Sequence, residues 1–128
     1  MLGRHIPETN GKAAGYLDTT AFYQMSHKAG RAMELSGWAE HDGAAAECIA
    51  IIDRDRTVIG TGASITRRSD VERAKHRSLG LVGWTAVAPI PQRLPVCALA
   101  LFSAENQWIP LSNCSSSVNS TVIINGDQ

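Results

Sequence analysis

The 128-residue chain lacks most of the features by which small domains declare themselves. It has seven aromatic residues, three cysteines, 12 Lys and Arg against 12 Asp and Glu, and no internal repeat. A net charge of zero excludes the basic excess by which nucleic-acid binders displace counterions. It equally argues against an electrostatic membrane anchor. No apolar run reaches the ~18 residues of a transmembrane helix, so no membrane insertion is expected. The segment Met1 to Lys12 (MLGRHIPETNGK) also lacks the apolar centre of a signal peptide. Cys48, Cys97 and Cys114 are far apart and form no C-x-x-C, a pattern that reads neither as a disulfide framework nor as zinc ligands. Cys48 in AECIAIID and Cys97 in PVCALALF lie in apolar runs where a free thiol packs as a small hydrophobe. Cys114, in SNCSSSVNS, is the expected exposed thiol, and unpaired thiols fit a reducing compartment.

What the chain does have is a bias towards strands. Val, Ile and Thr together number 25 against nine Leu, which favours extended backbone over helix. Two periods compete over Thr20 to Leu35. A helix would align Phe22, Met25, Ala29, Ala32 and Met33, but it would contain Gly30 and begin at the β-branched Thr19 and Thr20. The alternative turns at SHKAG (26–30) between strands near Gly15 to Tyr23 and Arg31 to His41. In RAMELSGWAEH the alternation is regular, with Met33, Leu35, Gly37 and Ala39 on one face and Glu34, Ser36, Trp38 and Glu40 on the other. The strand reading is preferred.

Downstream, ECIAII and TVIGTGASI flank the charged turn Asp53 to Arg56 and predict an antiparallel hairpin. Gly60 and Gly62 at alternate positions predict a bulge or a close backbone approach. TRRSDVERAKHRSLG is the one helix, with Ser69 and Glu72 as a capping box and Gly80 as its stop. Strands follow in LGLVGWTAVAPI, VCALALFS and QWIPL, the second and third joined by an Ala104 to Asn106 turn, and Pro110 marks an edge. About seven strands with turns at this spacing predict an all-β, antiparallel β-sandwich with one short helix. The helical reading of Thr20 to Leu35 would instead give an α+β fold, a helix packed on an antiparallel sheet. The expected organisation is an N-terminal tail over 1–13, a sandwich domain over 14–112 and a polar C-terminal tail over 113–128. In that tail STVIINGDQ could add an edge strand or pair with a second copy as a homodimer.

Several short motifs occur in a telling order: Gly-Tyr-Leu-Asp (15–18), Ser-Gly-Trp-Ala (36–39), IIDRDRTVIGTG, Arg-Arg-Ser-Asp-Val (67–71), Gly-Leu-Val-Gly-Trp (80–84) and ALALFSAENQWIPL. The order resembles that of β-rich, Ig-like accessory domains attached to bacterial membrane proteins of the glycosyltransferase and surface-polysaccharide type. Those domains carry a Gly-Trp-Ala opening, a Val-rich hairpin, an Arg-Pro-Asp-Val segment and a Gly-Phe strand. The resemblance spans about Gly15 to Leu111, with Ser69 in the place of the Pro and Gly83-Trp84 in the place of Gly-Phe. It implies an Ig-like sandwich, a soluble accessory module without catalytic residues of its own, and an association with carbohydrate. It also implies a cytoplasmic setting for a chain that starts at Met1 and an extracytoplasmic one for a domain excised from a membrane protein.

Chemistry-bearing residues are sparse. No cofactor or metal motif occurs, and Asp53 and Asp55 read as a solvated turn rather than a calcium loop. Asp42-Gly43 is a turn dipeptide. Trp38 shares its strand face with Glu34, Ser36 and Glu40, and either covers the end of the sandwich core, the reading favoured by the burial habit of large aromatics, or offers a stacking platform for a sugar ring or another protein chain. Trp84, among Val82, Ala86 and Ala88, belongs in the core, while Trp108 beside Pro110 marks an interface. Arg67 and Arg68 precede a helix start and form an anion site unless Asp70 pairs with one of them. The expected function is a non-catalytic interaction module near Trp38 and Arg68, with Arg67, Asp70 and Trp108 as further candidate ligand-binding residues. Two alternatives stand beside it: an α+β small-molecule sensor, and a small hydrolase or lyase using His41 with Glu40 or Glu47.

Overall fold

Alternating burial along β2 (Arg31–His41) decides between the two periods. Met33, Leu35 and Ala39 are 0% exposed while Glu34, Ser36 and Trp38 between them are only partly covered, a repeat of two that a helix cannot produce. In the computed structural model, which describes residues 1–8, 12–25, 31–91, 93–103, 107–115 and 120–124, β2 pairs antiparallel with β1 (Gly15–Met25). The α+β alternative is thereby overturned, and the SHKAG turn lies outside the described residues. The remaining elements are β3 (Ala44–Ala45), β4 (Cys48–Ile52), β5 (Val58–Thr66), α1 (Ser69–Lys75), β6 (Gly83–Pro89), β7 (Val96–Leu101), β8 (Trp108–Ser115) and β9 (Ser120–Ile124). The fold is all-β with one short helix, as expected. The Ala104 to Asn106 turn lies outside the described residues.

One sheet holds all the strands, in the order β8-β7-β4-β5-β6-β2-β1-β9, with β3 beside β2. Every pairing is antiparallel except that of β1 with β9. The STVII segment thus finds its partner within the chain. β8 stands at the far end of the order from β1 yet packs against it, so the sheet curls until β8 meets the first half of β1. Asn113 on β8 makes that junction. Its amide donates to the Leu17 carbonyl at 2.6 Å and its oxygen accepts the Leu17 N–H at 2.9 Å, so that a side chain completes a ladder that two backbones leave open. Thr20 and Ser115 add a buried hydroxyl pair at 2.9 Å, and the Pro110 carbonyl accepts the Ala14 N–H at 3.2 Å. The result is a nearly closed, barrel-like sheet.

Large and small residues interdigitate inside it. Trp84 and Phe102 are filled around by Ala39, Ala86, Ala88, Ala98 and Ala100, with Ile49, Ile51, Leu35 and Leu111. Gly60 and Gly62 let β5 run close to β6: a Cβ on either would come within 2.5 Å of the Ala88 or Ala86 methyl. The predicted close approach is therefore present. β4 is buried on both faces, because Ile6 packs with Ala50, Ile52, Val58 and Leu99 on its outer side. Backbone bonds between Arg4 and Val58, at 2.8 Å, and between Ile6 and Arg56, at 2.9 Å, fix that N-terminal segment.

Three local expectations are corrected. Cys97 and Cys114 are not free thiols; they form a disulfide, because they face each other in the β7–β8 register with Cα atoms 4.4 Å apart. Only register could reveal this, and the reducing-compartment argument built on three free thiols falls with it. The capping box is also unrealised. Ser69 is the first helical residue, Arg68 is at the N-cap without a side-chain cap, and the Glu72 carboxylate is taken by Arg67 and the Leu79 N–H. Gly80 does not stop the helix either, since His76 itself turns left-handed at φ 54° and donates to the Arg73 carbonyl.

Candidate functional site

The outer face of β1, β2 and β6 carries a row of three register partners, Tyr16, Trp38 and Gly83. Tyr16 is 48% exposed, and its ring centre lies 5.8 Å from that of Trp38 at a tilt of 42°, an attractive aromatic geometry. Trp38 is half-buried, packed on Val71, Leu79 and Val82 beneath α1. The Lys75 ammonium sits 5.5 Å from its ring centre, within cation–π range. Gly83 keeps the third position bare: a Cβ there would meet the Thr66 hydroxyl at 2.1 Å and the Arg68 Cγ at 3.0 Å. The stem of Arg68 therefore lies across the sheet beside Trp38.

The guanidinium it delivers is engaged by two carboxylates on three of its N–H groups. Arg68 Nε and Nη2 donate to the two Asp70 oxygens at 2.9 and 2.7 Å, and Nη1 donates to Asp18 at 2.7 Å. The fork-to-fork contact is the strong form of this pair. It raises the Arg68 pKa further and holds the Asp70 carboxyl down at about 2. Asp18 reaches Arg68 from a bulge. Register jumps from Leu17 opposite Gly37 to Thr19 opposite Ser36, leaving Asp18 as the extra residue.

Beyond Lys75 the surface falls into a cavity of about 600 Å³ whose lining includes Lys12, Glu40, His41, Asp42, Lys75 and Arg77. The Asp42-Gly43 turn builds its corner. Both residues have positive φ, 51° and 84°, as a two-residue hairpin loop between β2 and β3 requires. Glu40 has only 7% of its side chain exposed, with Lys75 on one oxygen at 3.0 Å and the Gly43 N–H on the other at 2.6 Å. Burial pushes its carboxyl up, but the Gly43 N–H, Lys75 and Arg77 outweigh that effect and hold it below the usual range. His41 lies 3.5 Å from Asp42, whose side chain is 92% exposed, and its ring rests 5.6 Å from that of Phe102.

The candidate residues named from sequence separate into groups. Trp38, Arg68 and Asp70 come together around the Tyr16 row. Arg67 turns instead to Glu72 at 2.9 Å. Trp108 packs with Ile6, Ala50 and Leu99 on the outer face of β4 and β7, a different apolar cluster. Glu47, proposed with His41, accepts the Ser103 hydroxyl at 3.0 Å. Among the described residues no group of His, Cys, Asp and Glu is arranged to hold a metal ion. Tyr16, Asp18, Lys75 and Arg77 were not singled out from the sequence. Only Tyr16 and Asp18 had a signal there, as polar-edged neighbours of an inward Leu17.

Fold and surface define a β-barrel-like domain with an aromatic and ionic outer face. Compared with known families, curated proteins and solved structures, the chain matches no family model, no curated protein and no solved structure.

Proposed function

We propose that the protein is a non-catalytic accessory module that binds glycan on the outer face of β1 and β2. The observation that carries this reading is the exposed Tyr16 ring, braced by Trp38 and flanked by the Asp18–Arg68–Asp70 cluster. An aromatic ring offers an apolar face to the C–H side of a sugar, and planar charged groups beside it supply donors and acceptors for ring hydroxyls. Fixed charges of this kind suit orientation more than affinity, because both partners are already paired.

The motif order that resembles bacterial surface-polysaccharide accessory domains supports the same reading, and the finer Ig-like assignment rests on that order alone. The Cys97–Cys114 disulfide favours an oxidising setting, and hence the extracytoplasmic of the two locations. A glycan array probed with the wild type and with Tyr16→Ala tests the proposal. Tyr16 is 48% exposed and lies outside the core, so the variant should fold normally and lose most of the binding. Array signals unchanged by Tyr16→Ala, or none for the wild type, would overturn it.

A further inference from the structure

We infer that the ligand of this face is an acidic glycan, and that the cavity beside Lys75 receives its carboxylate. This inference rests on the glycan reading above. The protein has no net charge, yet three cations, Lys12, Lys75 and Arg77, line one cavity. The two carboxylates there do not cancel them equally. Glu40 is turned inward and bonded by Lys75 and the Gly43 N–H, with Arg77 acting on it only through space, whereas Asp42 projects into solvent beside His41. The Lys12 ammonium and the Arg77 guanidinium make no hydrogen bond among the described residues. The exposed Arg77 side chain ends beside the bare face of Gly43, where a Cβ would stand 2.6 Å from its Nη2.

A planar guanidinium with open donors at the cavity is suited to a carboxylate, which it can engage through two parallel hydrogen bonds. Lys75 joins the two halves of the surface, with its ammonium 5.5 Å from the Trp38 ring centre and 3.0 Å from Glu40. Lys75 therefore stands between the aromatic pair and the cavity, and a saccharide on the exposed Tyr16 ring would extend past it to reach the cavity. A cavity of about 600 Å³ has room for a sugar unit carrying a carboxyl group.

The test uses uronate-containing oligosaccharides and the same oligosaccharides after reduction of their carboxyl groups, titrated by calorimetry. The acidic forms should bind about tenfold more tightly or better than their reduced counterparts, the scale of one charge-assisted pair. Arg77→Gln together with Lys12→Gln should abolish that preference, so that the acidic forms bind no more tightly than the reduced ones. Equal affinity for both forms, or a preference that survives the double variant, would overturn the acidic assignment while leaving the glycan reading intact. Binding of neither form overturns both. Acidic binding lost in the double variant but unchanged in Tyr16→Ala would refute the shared ligand, because it would place the anion in the cavity without a sugar on the aromatic row.

Discussion

The barrel closes on one side chain, and removing it should be measurable. In Asn113→Ala the Leu17 N–H and C=O lose their partners on β8, while Leu17 itself stays buried. Each bond contributes roughly 0.5–1.5 kcal/mol net, and because Asn113 is exposed to competing water the pair belongs at the lower end, about 1–2 kcal/mol in all. For a domain of this size that amounts to a fall in Tm of roughly 4–8 °C. Urea denaturation should show a lower midpoint at unchanged slope, as expected for a native-state contact rather than an altered unfolded chain. Asn113→Asp separates geometry from chemistry. The carboxylate can still accept the Leu17 N–H but is pressed against the Leu17 carbonyl, so it should destabilise at least as much as Ala at neutral pH. Its folded pKa would be raised above the unfolded value, so that the deficit shrinks as pH falls through that folded pKa and the acid becomes a donor. Hydrogen exchange gives the local readout: the Leu17 amide should exchange faster in Asn113→Ala, and the Ala50 amide of central β4 should not. A melting temperature within about 1 °C of wild type, with Leu17 protection unchanged, would refute closure through Asn113.

Further consequences can be checked in the same preparations. Denatured, unreduced protein should take up one equivalent of iodoacetamide, at Cys48, and three after reduction. Loss of the Cys97–Cys114 link, which spans 17 residues, should lower unfolding stability by about 3 kcal/mol in a denaturant titration with reductant. Uptake of three equivalents without reductant would remove the bond. Gly62→Ala would set a methyl 2.5 Å from the Ala86 side chain and 2.3 Å from the Thr85 carbonyl, and should cost about 1–3 kcal/mol in the same titration. Acid should weaken the fold in a defined direction. Glu40 and Asp70 have folded pKa values below their ordinary ones, Asp70 at about 2, so their contribution is complete above the ordinary carboxylate pKa and is lost as pH falls through the folded values. Tm followed from pH 6 down towards about 2 should drop, and Glu40→Gln should flatten the upper part of that drop. A curve identical to wild type would show that Glu40 is not held as an anion by Lys75 and Gly43.

The strands were legible in the sequence because burial on one face imposes a repeat of two, and β2 displays it without interruption from Met33 to Ala39. The hairpin over Asp53 to Arg56 was legible for a different reason. Its turn is written in local chemistry, with the Asp53 carboxylate accepting the Asp55 and Thr57 N–H groups at 2.9 and 3.0 Å. Features that depend on register were hidden. Cys97 and Cys114, or Leu17 and Asn113, meet only because of how far each strand slides along its neighbour, and nothing near either residue in sequence encodes that distance. The same holds for the site. Trp38 was identified from its strand face, but Tyr16 becomes its partner only through the β1–β2 register, and Asp18 reaches Arg68 only because a bulge places it there.

Helix α1 shows how those hidden contacts combine. Seven residues are too few to hold a helix in water, and no side chain caps its first turn. It is held from outside instead. Val71, with Leu79 and Val82 from the following loop, buries its inner side around Trp38. At the start Arg68 ties it to Asp18 on β1, and in its last turn Lys75 ties it to Glu40 on β2. The Arg68 pair is exposed and would contribute little to stability alone, but a pair at each end fixes both the position and the rotation of so short an element. That placement sets the ionic cluster on one side of Trp38 and the cationic cavity on the other. A disturbance at either tether should therefore reach both halves of the proposed binding face, which among the described residues share Lys75.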